Sequence, residues 1–174
     1  MRVVITGSNG FIGKHIVKEL LRNGYETLPI DIKNKTNPID FTASDFKDHL
    51  QEGDKVLHLG AIANFHDAEV NPQLAVRTNV EGTLNVIKAC MKKKVERLVH
   101  ASTGSIYDSL CPIPVKEDAV RNPKSIYGLT KRQAEDWIFH YGQTKRDTHA
   151  ELPYIILRYP YVYGVGKDWG AIGA

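Results

Sequence analysis

Long apolar runs are missing from this 174-residue chain: no stretch approaches the roughly 18 consecutive apolar residues that a membrane-spanning helix needs. Cysteine is nearly missing too. The two present, Cys90 and Cys111, form neither a disulfide framework nor a metal-ligand spacing, so no metal site is expected. A large charge of one sign is also lacking, since the formal net charge is only +3. The sole dense basic run, Lys92-Lys93-Lys94, closes an amphipathic pattern, where cations suit a helix C-terminus. It reads as a helix end and not as a nucleic-acid patch. "MRVVIT" runs straight into glycines after one short apolar run, which is not the pattern of a signal peptide. The expectation is a cytoplasmic protein in a reducing setting, with no nucleic-acid or membrane partner.

What is present is an ordinary globular composition, 42% hydrophobic and 25% charged, sufficient for one core and one domain. Short β-type runs alternate with longer stretches of helical period. Strands are expected at "RVVIT" (2–6), "ETLPID" (26–31), "KVLHLGA" (55–61), "RLVHAS" (97–102) and "YIILR" (154–158). Pro29 suits an edge strand or a strand end. Helices are expected over 11–24, over about 72–93 and over about 125–141, with the proline-bearing stretch 108–124 irregular. Such alternation specifies an α/β fold: a doubly wound parallel sheet with helices on both faces. In these sheets ligands bind beyond the carboxyl ends of the strands.

The residues at those ends carry the chemistry. "TGSNGFIG" (6–13) joins the first strand to the first helix, with Gly7, Gly10 and Gly13 in GxxGxxG spacing. Glycines there let a pyrophosphate approach the backbone, and the helix N-terminus then presents N–H groups and a positive dipole end. Asp31 ends the second strand about 20 positions later, where an acid holds ribose hydroxyls in the Rossmann arrangement. Its carboxylate would repel a 2′-phosphate, so NAD is favoured over NADP, although Lys33 and Lys35 stand nearby.

Further motifs follow in order: "DF" (40–41), "HLGA" (58–61), "NVEGT" (79–83), "STGSIY" (102–107), "YGLTK" (127–131) and "LRYPYVYG" (157–164). Together with the glycine loop they resemble the extended short-chain dehydrogenase/reductase family, in its NAD-dependent nucleotide-sugar epimerase/dehydratase group. The resemblance implies that Gly7, Asn9, Gly10, Phe11, Ile12 and Gly13 cradle the cofactor. It places Asp40 at the adenine amino group, with Phe41 supplying neighbouring backbone, and runs Leu59, Gly60 and Ala61 beside the cofactor. The family more often has alanine at position 60. Thr103, Tyr127 and Lys131 take the catalytic positions and Asn79 supports the lysine; Tyr127 and Lys131 also bind cofactor. The resemblance further implies a homodimer through helices 72–93 and 125–141.

The chemistry asks for these residue types independently. A free tyrosine titrates near about 10, too high for a base at neutral pH. A lysine ammonium one turn away, together with an oxidised nicotinamide, would favour the phenolate. Within the family, dehydratases follow the catalytic Ser/Thr with Asp-Glu; here Gly104 and Ser105 stand there, so elimination lacks its carboxylates. Decarboxylases carry a glutamate in this segment, also missing. Three readings remain: a 4-epimerase acting on a nucleotide sugar, a sugar reductase or dehydrogenase, and a silent NAD-binding module or sensor. Tyr161, beside Pro160, replaces an asparagine that contacts substrate in the family. Family members are usually much longer, and their C-terminal part supplies much of the nucleotide pocket. The ending "GKDWGAIGA" therefore reads as that of a fragment or naturally short form, one NAD-binding domain over 1–174 with the substrate-binding part largely absent.

Overall fold

The β-branched run "RVVIT" forms β1 (Arg2–Thr6), and parallel strands add on both sides of it. The computed structural model describes residues 1–143 and 152–165, so the closing segment 166–174 lies outside the described residues. With β2 (Glu26–Ile30), β3 (Lys55–His58), β4 (Arg97–Thr103) and β5 (Tyr154–Tyr159), the sheet order is β2-β1-β3-β4-β5, parallel throughout. After β2 the chain returns past β1 to place β3 on its other side, which puts the switch point between β1 and β3. Pro29 sits in β2, the edge strand, paired with Ile5, where a missing N–H is tolerated.

Alternate strand residues point to opposite faces. Val4, Ile30, Val56 and Leu98 point to one face and join Val86, Ile87, Cys90 and Ile138 in the main core cluster. Those last four lie on α4 (Gly82–Lys93) and α5 (Ile126–Gln143). The second face receives α1 (Phe11–Arg22), which packs on β1 and β2. Leu21, an apolar residue of that helix, is exposed. It lies about 100° round the helix from half-buried Leu20.

The helix expected over 72–93 is interrupted. It consists of α3 (Pro72–Val76), a π-helical turn at Arg77–Glu81 and then α4, preceded by an unexpected short α2 (Phe65–Val70). Leu74 of α3 is exposed. α4 ends at Lys94, whose φ of 51° is left-handed, with Lys92 and Lys93 in the last turn as the charge pattern requires. Stretch 108–124 is irregular, preceded by a 3₁₀ turn at Gly104–Ile106.

The amino ends of the strands, away from the glycine loop, are tied by one ion pair. Arg2 Nε and Nη2 donate to Asp54 at 2.9 and 2.7 Å, and the Gln51 N–H donates to the same carboxylate at 2.8 Å. Asp54 is buried, so removing it strands the Arg2 charge. Asp54→Ala is expected to cost about 3–5 kcal/mol in chemical denaturation. A loss below about 1 kcal/mol, the range of surface pairs, would contradict this.

Candidate active site

β1 ends at Thr6 and the chain turns at once into the glycine loop. Gly7 has a φ of 70°, a conformation that side chains disfavour. Space forbids a side chain as well, because a Cβ there would lie 2.7 Å from the Gly60 nitrogen. A Cβ at Gly13 would strike the Gly7 carbonyl oxygen. The loop is thus pressed between the first turn of α1 and the exit of β3. Gly10 is the N-cap of α1 and, as a glycine, brings no capping side chain of its own. With Asn9 and Gly10 exposed, this glycine-lined helix N-terminus suits a phosphate-bearing ligand.

Asp31 lies directly against the loop. The Asn9 N–H donates to its Oδ2 at 2.9 Å and the Lys33 N–H to its Oδ1 at 2.8 Å. The expected strand at 55–61 ends at His58: the Leu59 N–H makes the last backbone bond to β1, at the Thr6 carbonyl, and the Gly60 N–H turns to Thr6 Oγ1 instead, both at 3.2 Å. Asp40 is exposed and accepts the Thr42 N–H at 2.8 Å. The Phe41 ring is core, with its edge toward His58 at a centroid separation of 4.9 Å. A Cβ at Gly60 would strike that ring on one side, and one at Gly82 would lie 2.6 Å from it on the other. Glycine at position 60, where alanine was expected, makes room for Phe41.

Thr103 closes β4 at the same sheet edge. Its Oγ1 accepts the Ser105 N–H at 3.1 Å and donates to Ser105 Oγ at 3.2 Å. Tyr127 and Lys131 lie one turn apart on α5, and the Phe65 ring packs against Tyr127 at 5.5 Å. Asn79 lies inside the π-helical turn and is fully buried. Its Oδ1 accepts the Ile62 N–H at 2.8 Å; its Nδ2 donates to the Ile62 carbonyl at 3.1 Å and to Thr130 Oγ1 at 3.0 Å. Asn79 therefore ties the segment after β3 to the turn of α5 that carries Lys131.

Lys131 is 3% exposed, and burial pushes its pKa down to about 7 against the opposing charge of Glu135. Burial raises the Tyr127 pKa, and a hydrogen bond with Thr103 only partly offsets it. The lowering expected from Lys131 is thus not what these residues produce by themselves. The reason is the phenol's own burial, which disfavours its charged form. His58 falls to about 3 and His100 well below the ordinary value, again chiefly through burial, with the Lys131 charge adding to it.

Several neighbours escaped sequence reading. The π-helical turn leaves no mark on an apolar pattern. His58 and His100 stack at 5.3 Å beneath Lys131, yet each looked like an ordinary member of a strand. Glu135 had a signal that was passed over, the same four-residue spacing that links Tyr127 to Lys131.

Comparisons with known proteins bear on this arrangement. The model of the NAD dependent epimerase/dehydratase family matches residues 3–171. A putative UDP-glucose 4-epimerase of Methanocaldococcus jannaschii is 33% identical over 180 residues, covering 95% of this chain and 57% of the relative. Among solved structures, MoeE5 in complex with UDP-glucose and NAD superposes with a TM-score of 0.88 at 31% identity, over 97% of this chain and 57% of that one. The Thermus thermophilus UDP-glucose 4-epimerase complex with NAD gives 0.83 at 33% identity, over 97% and 58%. The chain thus spans little more than half the length of these relatives. By a family match covering nearly all its residues, on a sheet whose strand ends gather the glycine loop, Asp31, Thr103, Tyr127 and Lys131, the chain belongs to the NAD dependent epimerase/dehydratase family.

Proposed function

We propose that this chain is the NAD-binding and catalytic part of a nucleotide-sugar 4-epimerase. The observation that carries the reading is the placing of Thr103, with Tyr127 and Lys131 of α5 beside it, at the carboxyl end of the strands that also bears the glycine loop and Asp31. The UDP-sugars and NAD bound by the superposed structures support the same assignment. Residues 1–174 act in this reading as one dinucleotide-binding domain in a cytoplasmic protein.

The site fits NAD. Gly7, Asn9, Gly10, Phe11, Ile12 and Gly13 would hold the pyrophosphate at the N-terminal end of α1, and Asp31 the adenosine ribose. Asp40 and the Phe41 backbone would meet the adenine. Leu59, Gly60 and Ala61 would flank the cofactor, and Tyr127 and Lys131 would reach its second ribose. When bound, NAD supplies reversible hydride acceptance at the sugar carbon. The chain's own residues handle the proton. Thr103 and Tyr127 hydrogen-bond the reacting hydroxyl; Tyr127 takes its proton as the carbonyl forms and returns it when the carbonyl is reduced again. Lys131 supplies positive charge that favours the phenolate, and Asn79 fixes the helix turn that carries the lysine. With Gly104 and Ser105 after Thr103, no carboxylate stands there to eliminate water.

NAD binding measured by calorimetry is expected, and Asp31→Ala should weaken it roughly tenfold, the worth of a charge-assisted hydrogen bond. Unchanged affinity in that variant would remove Asp31 from the site. Interconversion of UDP-glucose and UDP-galactose by the purified protein should fall by about 10²–10⁴ in Tyr127→Phe with NAD affinity kept. NAD binding without turnover in either form would favour the silent module, and net consumption of NAD with a sugar would favour the dehydrogenase. A homodimer through 72–93 and 125–141 belongs to the same proposal, since Leu74 and Trp137 are exposed on those segments. Sedimentation at micromolar concentration is expected to show a dimer, and a monomer would reject it.

A further inference from the structure

Glu135 lies one turn beyond Lys131 on α5, and its carboxylate is fully buried. A buried carboxylate must be paired and hydrogen-bonded. Here Arg158 of β5 grips it through two bonds, Nε to Oε1 at 2.9 Å and Nη2 to Oε2 at 2.8 Å. Arg121, from the irregular stretch, adds Nη1 to Oε2 at 3.2 Å. Arg158 continues outward to the Glu117 carbonyl at 2.6 Å and the Tyr107 hydroxyl at 2.5 Å. Arg121 also pairs with Asp136 at 2.8 Å. One carboxylate thus joins the site helix, the segment following Thr103 and the edge strand β5.

Resting on the epimerase reading, we propose that Glu135 is a positioning residue for the Tyr127–Lys131 couple. Its buried carboxylate, held by Arg121 and Arg158, keeps Lys131 in the charged form that supports the Tyr127 phenolate. Lys131 has little else to balance an ammonium. From β3 and β4 it faces His58 and His100, which burial keeps neutral and which accept no charge. On the π-turn side stand Asn79 and, beyond it, Thr83, both uncharged. On its own helix Tyr127 precedes it and Glu135 follows, and the Glu135 charge opposes the burial that would strip the lysine of its proton. Arg121 and Arg158 hold the carboxylate in one place, so that its position is fixed by three segments at once.

The sign of the effect separates this role from mere packing. Removing a negative neighbour lowers a lysine pKa, whereas loosening the structure hydrates the ammonium and raises the pKa toward the ordinary value. The test is a pH titration of the Lys131 Cε signal by NMR in the chain carrying ¹³C-labelled lysine, assigned by its loss in Lys131→Arg. Glu135→Gln should move the midpoint down by roughly one pH unit, and Glu135→Asp, which keeps the charge, should restore it. If Glu135→Gln does not fold, the double variant Glu135→Gln/Arg158→Met removes the buried pair without stranding a charge and is expected to show a smaller downward shift. An unchanged or raised midpoint in the folded variant would overturn the proposal. The titration needs neither cofactor nor turnover, so a downward shift in a protein inactive on UDP-sugars would reject the epimerase reading and leave the role of Glu135 standing. In the active enzyme the same change should depress the rate at pH 8 relative to pH 6.5 several-fold, because Lys131 would lose its proton at lower pH.

Discussion

An ammonium taken out of water is the constraint on which the rest of the site depends. Lys131 is buried between a sheet and two helices, and desolvation alone would empty it of its proton at neutral pH. The surroundings are built around that cost. The histidines beneath it stay neutral, so they add no like charge. Asn79 gives the neighbouring Thr130 a fixed partner, and Glu135 provides the opposite charge one turn away. A lysine poised near its midpoint can support a phenolate when charged and exchange a proton readily. A lysine on an open surface would do neither as sharply.

The cofactor side obeys a steric constraint instead. The glycine loop, the exit of β3 and the Phe41 ring share so little space that Gly7, Gly13, Gly60 and Gly82 each have a neighbour where a Cβ would stand. Thr6 binds these pieces together, with its carbonyl and hydroxyl accepting the two N–H groups that end β3 and its hydroxyl 2.6 Å from His58 Nδ1. His58 Nε2 lies 3.1 Å from Thr83 Oγ1, and the Thr83 hydroxyl donates to the Asn79 carbonyl at 2.6 Å. A continuous polar path therefore runs through the core from the glycine loop to the π-helical turn beside α5. Cofactor binding and the lysine site share this one scaffold.

Much of this was legible in the residues. β-branched runs and apolar periods located all five strands and the long helices, and the family motifs named the groups at the strand ends. Boundaries failed where tertiary contacts decided them. "KVLHLGA" reads as strand throughout, yet the ladder ends at His58: the Leu59 N–H makes its last backbone bond to β1, and the Gly60 N–H goes to the Thr6 side-chain oxygen instead of a strand carbonyl. The stretch 72–93 is helical between the bounds read from its apolar period, but the π-helical turn at Arg77–Glu81 has no counterpart in that period. The direction of the Tyr127 shift also depends on packing: sequence spacing shows that a lysine is near, but only the packed structure shows that the phenol itself is buried. The Glu135–Arg158 pair joins residues 23 positions apart and could not be seen from either one alone.

The most direct test of this account is the protonation state of Lys131 in the unaltered protein. A pH titration of its labelled Cε should give a midpoint near 7, as its burial requires. A midpoint near the ordinary lysine value of 10.5 would mean that the ammonium is hydrated, and the account of the site built upon its burial would be wrong.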